Sequence, residues 1–162
     1  MKRLVLFITG VLLIIIQNSI INYIDIFGVT FSILLPVLVM SSLYIDEIEA
    51  SVIGLLLGFI IDITVGGIVG INALILSVIS YTISHYKKNF YINSTSMIMA
   101  LIAISTVFQS LVMIIASLIA YKTDGFLIMI LKGFIILPIL NTIIGYLIYK
   151  LFGGIIMKLS KE

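Results

Sequence analysis

The sequence predicts an all-α fold: a polytopic membrane bundle of six transmembrane helices with both termini in the cytoplasm. Composition is the first observation behind this. Of the 162 residues, 62% are hydrophobic and 10% charged, whereas a soluble domain is roughly half apolar and about a quarter charged. Such a chain cannot cover itself with polar surface, so lipid is the expected solvent for most of it. The second observation is that long apolar runs recur along the chain with only short polar turns between them. The third is that the basic residues are distributed as an even number of crossings would place them.

Cutting the chain at its charges and its Gly or Asn clusters gives the elements in order. Met1-Lys2-Arg3 precedes a first apolar run at about 4–21. This opening resembles a signal peptide, but Gln17, Asn18 and Ser19 follow the run where a small-x-small cleavage site would stand, so an uncleaved helix is expected. Helix two spans about 30–45 and carries Pro36, which a membrane helix tolerates when neighbours satisfy the freed carbonyl. Asp46-Glu47-Ile48-Glu49 ends it. Helices three (about 50–65) and four (about 68–84) are separated by Gly66 and Gly67 and are short for full spans, so this hairpin is expected to be sheltered by other helices or broken near its tip. A polar loop from His85 to Ser94 leads to helix five at about 95–121, and Lys122-Thr123-Asp124-Gly125 turns the chain into helix six at about 126–152. Helix six contains Pro138, and the tail to Glu162 reads as amphipathic. The whole of 1–162 is expected to form a single integral membrane domain.

Lys and Arg set the orientation, because their translocation is disfavoured. With the N-terminus inside, six helices place Lys2, Arg3, Lys87, Lys88, Lys150, Lys158 and Lys161 in the cytoplasm, seven of the nine basic residues. Lys122 falls in an outer loop and Lys132 within helix six. Removing one helix would export either the Lys87-Lys88 loop or the C-terminal lysines.

The reactive inventory is small. There is no cysteine and one histidine, which excludes a disulfide framework, a thiolate metal site and a multi-histidine site. The net charge of +2 does not suggest nucleic acid as a partner. No Gly-rich phosphate loop, no carboxylate pair at catalytic separation and no Ser/His/Asp set occurs, so a non-enzymatic protein without a cofactor is expected. His85 reads as a solvated loop residue beside Lys87 and Lys88. Tyr81, Tyr86, Phe90 and Tyr91 read as interface anchors. Asn93-Ser94-Thr95 matches a glycosylation sequon on the expected cytoplasmic side, where chance accounts for it.

The most informative stretch is a ladder at four-residue spacing: Gly54, Gly58, Asp62, Gly66 and Gly70. On a helix, Gly54, Gly58 and Asp62 form one slowly winding stripe. Glycine there permits close backbone approach, the means by which membrane helices associate. The stripe is therefore either a packing seam within the chain or a docking surface for a partner. Asp62 lies about 12 residues into helix three, roughly 18 Å at 1.5 Å per residue, and a carboxylate at that depth must be paired, hydrated or protonated. Lys132 is the other ionisable residue within a span, in the same outer half. An Asp62–Lys132 pair is one expectation. The alternative is that Lys132 snorkels outward while Asp62 caps the hairpin tip through the Gly66 and Gly67 amides. Ser105, Thr106, Gln109 and Ser110 on helix five, with Asn72 and Asn141, read as hydrogen-bonding glue between helices.

The ladder, continued by Ala73 and Leu74, the helix reaching Tyr81 and the Lys87-Lys88 loop resemble the bacterial rod shape-determining protein family MreD; the specific match runs from Gly54 to about Lys88. The resemblance implies a non-enzymatic subunit of the cell-elongation machinery (the elongasome) in the bacterial plasma membrane. Its implied partners are MreC, the RodA polymerase and a penicillin-binding transpeptidase, besides membrane lipids. Its implied task is to organise peptidoglycan synthesis and so maintain rod cell shape. The resemblance also implies a fold similar to the substrate-binding subunits of energy-coupling-factor transporters. A vitamin-binding subunit of such a transporter is the competing reading, but that class docks through small residues on helix one, and the run 4–21 has one glycine, Gly10, and no alanine. A lipid-modifying enzyme would need an acid–base cluster at one membrane face, and the acidic turn 46–49 has no basic or histidine partner near it in sequence.

Overall fold

A computed structural model describes residues 2–24, 26, 28–65, 68–90, 94–120 and 126–161. Among these there are six α-helical elements, besides single 3-10 turns at Ile21–Tyr23 and Lys87–Asn89: α1 (Lys2–Ser19), α2 (Leu34–Ser42), α3 (Glu47–Val65), α4 (Ile71–Tyr86), α5 (Thr95–Ala120) and α6. The last is one helical run in three pieces: Phe126–Leu131, a π-helical stretch Lys132–Ile136, and Leu137–Lys161. Glu47–Val65, Thr95–Ala120 and Leu127–Leu151 are long and apolar enough to cross a membrane, and Leu4–Ser19 is apolar but shorter. The shortest element, α2, has 9 residues, well below the ~20 of a full span.

The short α2 is the hub of the bundle, touching each of the other five helices. Leu34, Leu35, Pro36, Leu38, Val39, Met40, Ser41 and Ser42 are all buried, which is why its sequence is apolar on every side instead of striped. Against it pack Ile14 of α1, Ile53 and Leu57 of α3, Ile75, Leu76 and Ile79 of α4, and Ile98 and Ile102 of α5. Pro36 stands in the first turn of α2, where the proline nitrogen has no intrahelical acceptor to lose.

The expected helix at 30–45 is thus shortened at both ends. Residues 24, 26 and 28–33 are irregular, with Gly28 at φ 74° and a bridge between Ile26 and Val29. The start of α2 is set by side chains from distant helices. Gln17 Oε1 accepts the Ile33 and Leu34 amides at 3.2 and 3.3 Å and the Ser32 hydroxyl at 3.2 Å. The Ser32 amide donates to Asn141 Oδ1 at 2.8 Å, and the Leu35 amide donates to Ser32 Oγ at 3.2 Å. Four amides around a helix start, otherwise orphans, are thereby satisfied by α1, α6 and the local serine. At the other end the Ser41 and Ser42 hydroxyls donate to Leu38 O.

The most extensive helix pairing is the α3–α4 hairpin. The outer surface of the bundle is apolar: Ile8, Leu12 and Ile15 on α1, Phe59 and Ile63 on α3, and Ile139, Ile143 and Leu147 on α6 are exposed. Such continuous apolar exposure is foreign to a soluble monomer and fits a lipid surround.

Candidate functional site

The ladder residues take up different tasks. Gly54 and Gly58 are buried against α4 of the same chain. A Cβ at Gly54 would stand 2.5 Å from the Leu76 carbonyl oxygen and 2.9 Å from Ser80 Oγ, and one at Gly58 would collide with the Asn72 carbonyl and the Ala73 backbone. The stripe faces inward, so a partner has no access to it without opening the hairpin. A Cβ at Gly70 would meet nothing within 4 Å, but the φ of Gly70 is +99° at the residue preceding α4, a conformation that favours glycine. Gly66, like the expected Gly66–Gly67 cap, lies outside the described residues.

Asp62 is 4% exposed and closes the hairpin tip. Its carboxylate accepts the Gly70 amide at 2.9 Å, the Asn72 amide at 3.2 Å, the Asn72 side-chain amide at 2.8 Å and the Ala73 amide at 3.2 Å. It caps the start of α4, where unpaired N–H groups and the helix dipole favour an anion. Lys132 has a different partner: its Nζ donates to the Gly28 carbonyl at 3.0 Å. The carboxylate is saturated by backbone and amide donors, and the ammonium is turned to the 24–33 segment; the structure does not bring Asp62 and Lys132 together as an ion pair.

At the other end of the same hairpin, the acidic turn 46–49 finds the partners that were not visible in sequence. His85 Nδ1 meets Glu47 Oε2 at 2.5 Å, and the His85 ring stacks on Tyr81 with centroids 5.6 Å apart. Lys87 Nζ donates to the Ile45 carbonyl at 2.7 Å and lies 3.7 Å from Asp46. Ser84 Oγ donates to the same Ile45 carbonyl at 2.5 Å. His85 therefore belongs to the last turn of α4 and fastens it to the start of α3; the expected loop residue is a clasp. Among the described residues no group of three or more His, Cys, Asp or Glu is arranged to hold a metal ion.

A third polar system runs through the bundle. Asn141 is fully buried; besides accepting from Ser32, its Nδ2 donates to Thr106 Oγ1 at 3.3 Å, and Thr106 donates to the Ile102 carbonyl at 2.8 Å. Beside it lies a cavity of about 490 Å³, lined by residues from all six helices and the 24–33 segment. Gln17, Asn18, Ser32, Asn72, Gln109, Ser110, Lys132 and Asn141 place polar groups on a wall that is otherwise mostly apolar. The sequence had marked helix five, Asn72 and Asn141 as polar positions. Gln17 as a cap and Gly10 as the seat of Leu57 were missed, because only the fold brings residues 10 and 57 or 17 and 33 together.

Compared with known proteins, the chain matches the family model of rod shape-determining protein MreD over residues 1–159. No curated protein and no solved structure matches it.

Proposed function

The chain belongs to the MreD family of rod shape-determining membrane proteins, and from that premise we propose that it is a non-enzymatic, six-span subunit of the elongation machinery. In this reading it lies in the bacterial plasma membrane with both termini in the cytoplasm. It organises peptidoglycan synthesis by docking MreC, the RodA polymerase and a penicillin-binding transpeptidase. Its fold likeness to the substrate-binding subunits of energy-coupling-factor transporters rests on the resemblance alone.

The observation that carries the reading is the family match over nearly the whole chain, and the geometry restricts how docking occurs. Each ladder residue within the described region is engaged inside the hairpin, so partners meet the apolar perimeter and the short connections, not the glycine stripe. Asp62, the Asn141 network and the clasp at 45–47 are all engaged in holding helices together.

Two measurements test this. A clean deletion in a rod-shaped host is expected to give rounded cells, and unaltered rods would overturn the shape role. Pull-down of the tagged protein from membranes is expected to recover the MreC and polymerase partners, and recovery of neither would overturn the docking role.

A further inference from the structure

The cavity beside Asn141 is not accounted for by packing. Among the described residues its wall carries one charge, Lys132, whose Nζ donates to the Gly28 carbonyl at 3.0 Å. An ammonium has three N–H donors, so donors remain for a second acceptor. No described carboxylate lies within ion-pair distance of it. A cation on the wall of a membrane-embedded bundle, with no counter-charge among the described residues, marks a functional position.

Ser110 supplies a second, independent sign. It is 5% exposed, lines the cavity, and its Oγ has no hydrogen-bond partner. Buried hydroxyls are ordinarily paired, and an orphan calls for an explanation. The backbone adds a third sign. The π-helical stretch begins at Lys132, and both Lys132 and Gly133 line the cavity; single π turns in α-helices are frequent at functional sites. A Cβ at Gly133 would stand 3.2 Å from Ser110 Cβ, so glycine is what lets α6 lie this close to the serine. The irregular backbone at 28–32 lines the same space, and irregular backbone within a membrane is tolerated where it is buried in protein or faces a water-filled cavity.

The chemistry of the wall selects the ligand. A compact ammonium with a neighbouring hydroxyl donor suits a phosphate, whose oxygens accept from both. Most of the remaining wall, with Ile61, Leu76, Met113, Ile114, Met129 and Leu137, is apolar. The volume of about 490 Å³ lies within the range of small-ligand sites and leaves room beyond the phosphate itself. We propose that this cavity binds an anionic phosphate group, with Lys132 as its charge partner and Ser110 as a hydroxyl donor. The phosphate comes either from a lipid headgroup or from a free phosphate. This site is independent of the docking role proposed above.

The test uses the purified full-length chain in neutral detergent, with binding read as the concentration-dependent rise in melting temperature. Three probes are compared: short-chain phosphatidylglycerol, the corresponding diacylglycerol without phosphate, and inorganic phosphate. Phosphatidylglycerol is expected to stabilise the wild type and diacylglycerol to leave it unchanged. Lys132→Met is expected to weaken phosphatidylglycerol binding by at least about tenfold, Lys132→Arg to keep most of it, and Ser110→Ala to weaken it several-fold. Stabilisation by phosphatidylglycerol alone identifies a lipid headgroup; equal stabilisation by inorganic phosphate identifies a free phosphate. Equal stabilisation by diacylglycerol, no stabilisation by either phosphate probe, or full affinity in Lys132→Met would overturn the proposal. Should Lys132→Met fail to fold, Ser110→Ala and the probe comparison on the wild type still decide it, full affinity in Ser110→Ala then counting against the site.

Discussion

Asp62 illustrates how one side chain is reconciled with an apolar setting. Its two oxygens collect four hydrogen bonds from the first residues of α4, so the cost of desolvating a carboxylate is offset by donors that would themselves be orphaned without it. Asp62→Ala removes the acceptor and leaves buried amides unpaired, at about 1–3 kcal/mol for each such group. Asp62→Asn keeps one acceptor oxygen and is expected to lose less. The chain has no tryptophan and no cysteine, so far-ultraviolet circular dichroism of the detergent-solubilised protein is the suitable measurement. A melting temperature for Asp62→Ala equal to that of the wild type would show that the cap is dispensable. Asn141→Leu belongs to the same class. It leaves the Ser32 amide without an acceptor, and a loss of about 1–3 kcal/mol is expected in the same melt.

At the scale of elements, the hairpin separates two reasons for glycine that a four-residue spacing runs together. Gly58 is glycine because a backbone stands where its Cβ would be. Backbone does not yield as a side-chain tip does, so Gly58→Ala forces α3 and α4 apart at about 1–3 kcal/mol or more. Gly70 has open space around it and a positive φ, so Gly70→Ala costs only the backbone term of about 1–2 kcal/mol. The expected order of melting temperatures is wild type, Gly70→Ala, Gly58→Ala; the reverse order would show that hairpin contact is not the stabilising element. Because Gly58 faces α4, loss of partner binding in Gly58→Leu is expected only together with loss of the chain's own stability. Partner recovery that falls while the melt is unchanged would instead restore the stripe as a docking surface. The clasp at the other end is a smaller effect. Glu47 and His85 are both substantially exposed, so Glu47→Gln is expected to change stability by less than about 1 kcal/mol.

At the scale of the whole molecule, the second of the helices expected from apolarity is a buried nine-residue helix at the centre of the bundle. Its start is satisfied by Gln17, Ser32 and Asn141, contributed by segments more than a hundred residues apart in the chain. That arrangement makes the bundle cooperative, because removing any one of the three exposes polar backbone in the interior. Gln17→Leu is therefore expected to destabilise the whole fold and not only the end of α1, seen as a single melt shifted to lower temperature. Two separate transitions would indicate that α2 unfolds independently.

The amino-acid sequence by itself determined the all-helical membrane class, the positions of the long apolar helices, the hairpin and the special standing of Asp62 and Lys132. These depend on composition, on charges that cut apolar runs, and on spacing along one helix, all of which are local. The tertiary structure alone decided what each of them touches. Asp62 bonds the start of α4 and Lys132 bonds Gly28, although both lie in helices long and apolar enough to cross a membrane, because a hydrogen bond requires angstrom proximity that hydropathy does not encode. For the same reason His85 came to rest on Glu47 across 38 residues. The cavity beside Asn141 likewise exists only where residues of all six helices converge on one volume.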